Sequence, residues 1–237
     1  MKNSIFLVIF LLFNSLSAEK LMFNIEYLNL NIATVEMEIT EAEDKKIIKI
    51  VAESSRFINM FTNNFRNTYT TQVDSLFLPS VVRKDISQKN FQENAIINYN
   101  FDALTAEYFN DLTNKTKIYT ILENTRDFFS ALYYIRTLDL TENHELSIDV
   151  AGKMMVISIN FVANESIRTT IGRKNTNKVE LSFKEYDNKA KMRSDILTNN
   201  IASKDNNLIF WFTNDEKQIP VKAVYVAKPF NVSWFVR

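Results

Sequence analysis

Apolar residues recur at every second position through most of this chain. Phe23, Ile25 and Tyr27 alternate with Asn24 and Glu26. Successive side chains of an extended strand point to opposite faces, so this period places one apolar face on a core and one polar face toward water. The pattern predicts an all-β protein in which an antiparallel sheet curls on itself. The same alternation is found in five further segments: Val35–Ile39, Ile97–Phe101, Leu146–Val150, Met155–Phe161 and Val179–Phe183.

The gaps between these segments are short and polar, as in antiparallel hairpins. Residues 43–45, 142–144 and 175–177 are such gaps. The chain has only two glycines and three prolines, so its turns are expected to use Asn, Asp, Ser and Lys, of which Asn best tolerates left-handed backbone. We find no Gly/Ser/Pro-rich linker and no sequence repeat, and we therefore expect residues 19–237 to form a single β-rich domain.

One principal helix is predicted between residues 125 and 137. Phe128, Leu132 and Ile135 are spaced i, i+4, i+7 and therefore share one helix face. A helix this apolar in a β-protein has to lie against the sheet. Two interpretations remain open for it: an element that closes the core, or a plug over a ligand cavity. A second, short helix is predicted within 54–65, where Phe57, Met60 and Phe61 share a face.

Polar residues mark the ends of the principal helix. Asn124 is predicted to cap its N-terminus, with Asp127 in the first turn and Arg136 in the last, both favourable to the helix dipole. At about 100° per residue Asp127 and Arg136 lie on opposite faces and cannot pair with each other. A covered Arg136 therefore needs an outside partner, either backbone carbonyls or a sheet carboxylate such as Asp215. It is interpreted as a structural clamp, or as a site for an anionic headgroup.

The N-terminus has the three-part layout of a secretory signal peptide. Lys2 supplies the basic region, Ile5–Phe13 is an unbroken apolar run, and small residues precede Glu19. Nine apolar residues are about half of the roughly 20 that a membrane-spanning helix needs. We therefore predict a cleaved signal peptide over residues 1–18, no transmembrane segment after cleavage and a periplasmic location; a retained N-terminal anchor is the alternative. No cysteine follows the run to carry a lipid.

Composition removes several kinds of chemistry. Without any cysteine the chain has no thiol nucleophile, thiolate metal site or disulfide. The chain has 28 Lys and Arg residues and 28 Asp and Glu residues. This balanced charge gives no indication of binding to nucleic acid or anionic lipid. We expect no metal site, no cofactor and no enzymatic activity. His144 is predicted in a solvated turn, and Ser130 lies in an apolar helix, where it bonds to the backbone or packs, rather than in a nucleophile elbow.

Scattered carboxylates complete the candidates for acid–base chemistry. None of them has a second carboxylate at a defined spacing, and we expect them to lie at strand edges and in turns. They are Asp85, Asp102, Asp111 and Glu123.

The run Asp127–Arg136 resembles the helix of an exported bacterial family, domain-of-unknown-function family 3108, which has the pattern D-x-x-S-A-L-Y-x-x-R. The family's late Trp-x-x-x-Asp and Pro-Val resemble Trp211–Asp215 and Pro220–Val221, and the similarity covers nearly the whole mature chain. The resemblance implies a β-rich envelope protein, a spiral or half-open barrel in the manner of periplasmic lipoprotein carriers, with no established reaction. The family usually has a glycine after its first strand, whereas this chain has Asn31–Ala33, so its first hairpin is expected to turn differently.

Three classes of function remain. The first is a non-catalytic binding or carrier module of the envelope for an apolar or lipid-like ligand, held on the concave apolar face of the sheet. The second is a structural or interaction protein whose core is filled by its own side chains. The third is a hydrolase. The expected partners are a lipid or an envelope protein, and the candidate ligand-binding residues are Phe128, Leu132, Arg136 and Trp211. A void of a few hundred Å³ would favour the first class over the second.

Overall fold

The computed structural model describes residues 18–42, 45–59, 64–187, 189, 195, 207–226 and 231–237, so nearly all of the predicted signal peptide lies outside the described part. Within that part the chain forms fifteen strands and two helices. The strands are β1 (Ala18–Tyr27), β2 (Leu30–Ala42), β3 (Lys45–Ser54), β4 (Arg66–Val73), β5 (Pro79–Gln88), β6 (Phe91–Asn100), β7 (Thr105–Asn110), β8 (Lys115–Thr120), β9 (Arg126–Asp127), β10 (His144–Val150), β11 (Lys153–Thr169), β12 (Gly172–Asp187), β13 (Asn207–Thr213), β14 (Pro220–Val226) and β15 (Val232–Val236). The helices are α1 (Arg56–Asn59) and α2 (Phe128–Ile135).

All strands in the described part belong to one sheet, in the order β8-β7-β6-β5-β4-β3-β2-β1-β15-β14-β13-β12-β11-β10-β9. Neighbouring strands are antiparallel except β9 and β10, which are parallel. The edge strands β8 and β9 are consecutive in the chain, and residues 121–125 connect them. The sheet thus curls back towards its start without a ladder between its two edges in the described part. This confirms the predicted all-β fold with a curled, half-open antiparallel sheet.

The alternating apolar residues point into the curl, where they form the core. Phe23, Val35 and Ile157 are at most 4% exposed, as expected for side chains on the concave face. Helix α2 lies on that face and contacts β3, β4, β9 and β10. All of its residues except Tyr134 are buried. The helix therefore closes the core, as the first of its two interpretations proposed.

Helix α2 is shorter than the predicted 125–137, and its cap is a different residue. Arg126 and Asp127 pair with β10 as strand β9, so their backbone is extended and cannot begin a helix. Asn124 has a φ of 56° and belongs to the preceding turn. The capping residue is Asp127, whose Oδ1 accepts from the N–H groups of Phe129 at 3.0 Å and Ser130 at 3.3 Å. The predicted cap at Asn124 is wrong because strand pairing extends to Asp127.

The second predicted helix is present in part. Helix α1 covers Arg56–Asn59 within the predicted 54–65. Ser55 Oγ accepts from the N–H group of Ile58 at 3.3 Å, which satisfies one free donor of this short turn. Met60 and Phe61 lie outside the described residues, and the predicted apolar face of this helix stays a prediction.

The first hairpin turns without glycine. Tyr27 pairs with Leu30, which leaves Leu28 and Asn29 as a two-residue turn with φ values of 52° and 62°. Positive φ at both positions matches a type I′ turn, whose twist fits the flanking strands. A bulge follows, where the register shifts between Ile25 and Glu26. The hairpin therefore turns on Leu28 and Asn29, and Asn31–Ala33, where the family usually has a glycine, lies in β2 at the bulge.

Candidate functional site

The C-terminal end of α2 is fastened to two distant segments of the chain by Arg136. Its guanidinium donates to both carboxylate oxygens of Glu19 on β1, at 2.5 and 2.9 Å. It also donates to the Lys217 carbonyl at 3.0 and 3.3 Å. The bidentate geometry is the strong form of this ion pair. All of these partners belong to the protein itself, which agrees with the structural-clamp interpretation of Arg136.

Asp215 does not pair with Arg136, although the sequence made it a candidate. Its Oδ1 instead accepts from the N–H groups of Lys217 and Gln218, both at 3.1 Å, and from Thr213 Oγ1 at 2.8 Å. Asp215 thereby shapes the turn between β13 and β14, and this turn presents the Lys217 carbonyl to Arg136. The side-chain amide of Gln218 donates to the Arg136 and Leu138 carbonyls, both at 2.8 Å.

Two of the four predicted ligand-binding residues line one cavity. Leu132 and Arg136 both contact it, together with Phe23, Phe212 and Trp234 from the sheet. Its volume is only about 20 Å³, roughly the space of a single water molecule. The place where the sequence predicted an apolar ligand is therefore filled by the protein's own side chains.

The other two predicted residues lie apart from this cavity. Phe128 lines a second small cavity, also of about 20 Å³. Trp211 is 7% exposed, and its Nε1 donates to Glu165. The ammonium groups of Lys178 and Lys222 lie 5.1 and 4.5 Å from its ring centroid. The structure does not bring the four residues together into one site.

A buried carboxylate, Asp149, connects the two ends of the curled sheet. Its Oδ2 accepts from the hydroxyls of Tyr119 on β8 at 2.5 Å and Tyr99 on β6 at 2.8 Å. Its Oδ1 accepts from the Gly152 N–H at 2.6 Å. Because β10 and β8 are near opposite edges of the sheet, these bonds join two edges between which the described residues form no strand ladder. We call Asp149, Tyr99 and Tyr119 the seam.

Burial dominates the electrostatics of the seam. Removal from water raises the pKa of the Asp149 carboxyl, an effect that the bonds from Tyr119, Tyr99 and Gly152 oppose. Burial likewise raises the pKa of the neighbouring cap, Asp127. Burial and the nearby Asp149 charge raise the pKa values of Tyr99 and Tyr119 well above their usual range. Both hydroxyls therefore stay protonated and donate to Asp149.

A second polar cluster lies on the concave face near the seam. Tyr108 donates its hydroxyl hydrogen to Glu93 Oε1 at 2.7 Å and accepts from Asn110 Nδ2 at 2.9 Å. Glu93 is 1% exposed, and its Oε2 lies 4.0 Å from Lys84 Nζ. Lys84 also lines the small cavity that contains Asp127 and Asp149. Buried charges of opposite sign thus compensate one another along this face.

Beside this cluster lies a larger cleft, with a volume of about 570 Å³. It is open to solvent at the end of the sheet formed by β6, β7 and β8. We call it the β6–β8 cleft. Two ring-bearing side chains and several polar ones line it, among them Phe91, Tyr108, Glu93, Asn110, Lys115 and Lys117. Its volume falls within the 300–1,000 Å³ typical of ligand-binding pockets.

The remaining chemical candidates do not form a site. His144 lies partly exposed at the start of β10, and its Nε2 lies 2.6 Å from the Asp139 carbonyl oxygen. The predicted turn is wrong, because strand pairing begins at this residue. Among the residues that the structure describes, no group of three acidic or histidine side chains could hold a metal ion. The scattered carboxylates are all exposed: Asp85, Asp102, Asp111 and Glu123.

The sequence over residues 22–228 matches the model of one protein family, described as "Protein of unknown function (DUF3108)". The chain belongs to this family. Its helix pattern now has a physical explanation, since its Asp, Ser and Arg residues each make a defined contact. Asp127 caps α2, Ser130 Oγ donates to the Asp127 carbonyl at 3.1 Å, and Arg136 joins β1 to the turn that Asp215 shapes. The two segments that carry the resemblance therefore meet at Arg136.

One solved structure supports the fold assignment of this DUF3108 protein. A "beta-barrel-like protein of domain of unknown function DUF1849" from Brucella abortus is similar with a TM-score of 0.53 and 7% identity, covering 93% of this chain and 95% of that one. A putative exported protein with a YmcC-like fold from Bacteroides fragilis covers 92% of both chains at 7% identity, with a TM-score of 0.37. No curated protein matches the chain. At this identity the first of the two supports the barrel-like fold alone.

Sequence reasoning missed the polar residues inside the DUF3108 fold. Asp149 alternates with Ile148 and Val150, which predicts a solvent-facing side chain, yet Asp149 is 3% exposed. One signal was available: an Asp three residues before Gly152, at the end of a strand, is typical of a side chain that bonds to a turn.

No helix in the described part is long and apolar enough to cross a membrane.

Proposed function

We propose that this protein is an exported, non-catalytic binding module of the cell envelope that holds its ligand in the β6–β8 cleft. The observation that carries the proposal is the contrast between two volumes. The cleft has about 570 Å³, whereas the cavity beneath α2 has about 20 Å³. A ligand of ordinary size fits the first and not the second.

The lining of the cleft favours an amphipathic, lipid-like ligand over a bare acyl chain. Phe91 and Tyr108 offer ring surfaces on which apolar groups can pack. Lys115 and Lys117 lie at the same cleft and suit an acidic group on the ligand. The ligand would therefore place its headgroup, rather than its chains, in the most polar part of the site.

Two buried aspartates support a non-catalytic role. Asp149 is 3% exposed and accepts three hydrogen bonds from the protein, which leaves it little capacity to act on a substrate. Asp127 is occupied in capping α2. A hydrolase would need such a group at a surface that a substrate can reach.

The second candidate is a structural or interaction protein of the envelope with a filled core. It is favoured by the close packing around Leu132, where the sheet and α2 leave about 20 Å³. The two functions differ in what the protein carries when it is isolated. A structural protein would carry nothing in the β6–β8 cleft.

Native mass spectrometry of protein isolated from its own envelope, followed by lipid extraction, tests the proposal. We expect a bound amphipathic species on the unmodified protein. Thr116→Trp adds a bulky side chain at the cleft and should abolish the bound mass. Thr120→Trp is the matched control, because Thr120 is an exposed threonine on the same strand that does not line the cleft. Equal occupancy in the two variants, or no bound species at all, would contradict the proposal.

A further inference from the structure

The hairpin of β11 and β12 extends beyond the strands on either side of it. Strand β10 pairs with β11 only as far as Ile159, and β13 pairs with β12 only from Thr176 onward. Residues 166–169 and 172–175 therefore form a ladder only with each other, and the Asn175 carbonyl also accepts from the Asn214 N–H at 2.9 Å. We call residues 166–175 the hairpin tip. In the described part of the chain, no other strand forms a ladder with these residues.

Positive charge is concentrated at the hairpin tip. Arg168 lies directly opposite Arg173 in the register, and Lys174 lies opposite Ile167. No acidic residue occurs from residue 166 to residue 179. Both arginines are exposed, and neither side chain forms an ion pair or hydrogen bond with any residue that the structure describes. Like charges directly opposite each other destabilise a hairpin, so the fold keeps a repulsive pair that no described side chain neutralises.

An apolar side chain stands at the apex of this basic surface. Ile171 lies in the turn and is 44% exposed. The turn itself is held in place, because Thr170 Oγ1 donates to the Val236 carbonyl on β15 and Thr169 Oγ1 donates to the Gly172 carbonyl at 2.7 Å. Ile167 packs against the core below. The apolar apex and its flanking arginines are thus presented in a defined orientation.

We propose that the hairpin tip docks on the surface of a bilayer that contains anionic phospholipids. Arg168, Arg173 and Lys174 would contact lipid phosphates, and Ile171 would enter the interface between headgroups and chains. Phosphate is a strong partner for guanidinium groups, and its charge would relieve the repulsion between the two arginines. The chain as a whole has balanced charge, so attraction to an anionic surface would be confined to this end and would orient the molecule. This surface is separate from the β6–β8 cleft, and the inference does not depend on the proposed function.

Cosedimentation with vesicles of phosphatidylcholine, with and without phosphatidylglycerol, tests the inference. We expect binding only to the anionic vesicles, and loss of that binding as salt rises from about 0.1 to 0.5 M, because the Debye length shortens from about 10 Å to a few ångströms. The double variant Arg168→Gln/Arg173→Gln should bind about 30-fold more weakly, from about 1 kcal/mol for each charge at the surface. Ile171→Ser should also weaken binding while leaving the charge unchanged.

A matched control removes the same charge from another hairpin. Arg83 on β5 and Lys89 in the β5–β6 turn are both exposed, so Arg83→Gln/Lys89→Gln should bind anionic vesicles as the unmodified protein does. The tip variant should melt at or above the temperature of the unmodified protein, because it loses a repulsive pair. Equal weakening in both double variants would overturn the inference. So would binding unaffected by Ile171→Ser, which would indicate a general polyanion site such as one for an acidic protein.

Discussion

Leu132 is expected to be the main contact by which α2 stabilises the sheet. The side chain is 6% exposed, and Leu132→Ala removes three carbon atoms from it. At about 0.8 kcal/mol per buried carbon, the transfer term is about 2.4 kcal/mol. Phe23, Phe212 and Trp234 around it are carried on paired strands, so the site cannot collapse fully, and the remaining cavity adds about 24 cal/mol per Å³. We therefore expect a total loss of about 3–5 kcal/mol in the free energy of unfolding.

Urea unfolding followed by circular dichroism measures this loss. Leu112→Ala is the matched control, since Leu112 is 57% exposed and should change stability by less than about 0.5 kcal/mol. Ser130→Ala should cost about 1 kcal/mol, the value of its single bond to the Asp127 carbonyl. A loss below about 1 kcal/mol for Leu132→Ala, with function abolished by Ser130→Ala, would refute the reasoning and make α2 a functional element instead of a core anchor.

Three further predictions concern the seam, the clamp and the N-terminus. Burial raises the folded pKa of Asp149. The stabilisation that Asp149 contributes is therefore complete below its unfolded pKa of about 3.9 and is lost as pH rises through its folded pKa. Asp149→Asn should flatten the decrease of the unfolding free energy with pH above about pH 4, whereas Asp85→Asn, at an exposed site, should not. A double-mutant cycle of Arg136→Gln and Glu19→Gln should give a coupling of about 1–2 kcal/mol from their charge-assisted, bidentate bonds, and a value near zero would contradict the clamp. N-terminal sequencing of envelope protein should begin at Ala18 or Glu19, and an intact Met1 would contradict cleavage of the signal peptide.

The strands were predictable because their burial is one-sided. In β3 from Ile48 to Ser54, and in β12 from Asn177 to Phe183, every second residue is buried, so local alternation and the final fold agree there. The helix was predictable for the same reason, since Phe128, Leu132 and Ile135 share one buried face. The residue at which the helix begins was not predictable. Whether Arg126 is helical or extended depends on its pairing with β10, which lies about twenty residues further along the chain.

The polar interior could not be predicted from one sequence. A polar residue in an alternating strand normally faces water, and Asp149 violates this because tyrosines from β6 and β8 cover its side of β10. These tyrosines reach Asp149 only when the sheet has curled, because β6 and β8 lie near one end of the strand order and β10 lies near the other. Glu93 is buried for a similar reason, beside Tyr108 and Lys84. The β6–β8 cleft likewise depends on the curvature of the sheet, which residue types alone do not specify.

Arg136 connects segments that lie far apart in the chain. Its partner Glu19 lies 117 residues away in the chain and the Lys217 carbonyl 81 residues away. Strand β1 is where the two halves of the sheet join, because it pairs with both β2 and β15. A single guanidinium therefore connects the core-closing helix to that junction and to the turn between β13 and β14. Replacing it would loosen three segments at once, so a loss of function on mutating this residue would report on folding before it reported on a ligand.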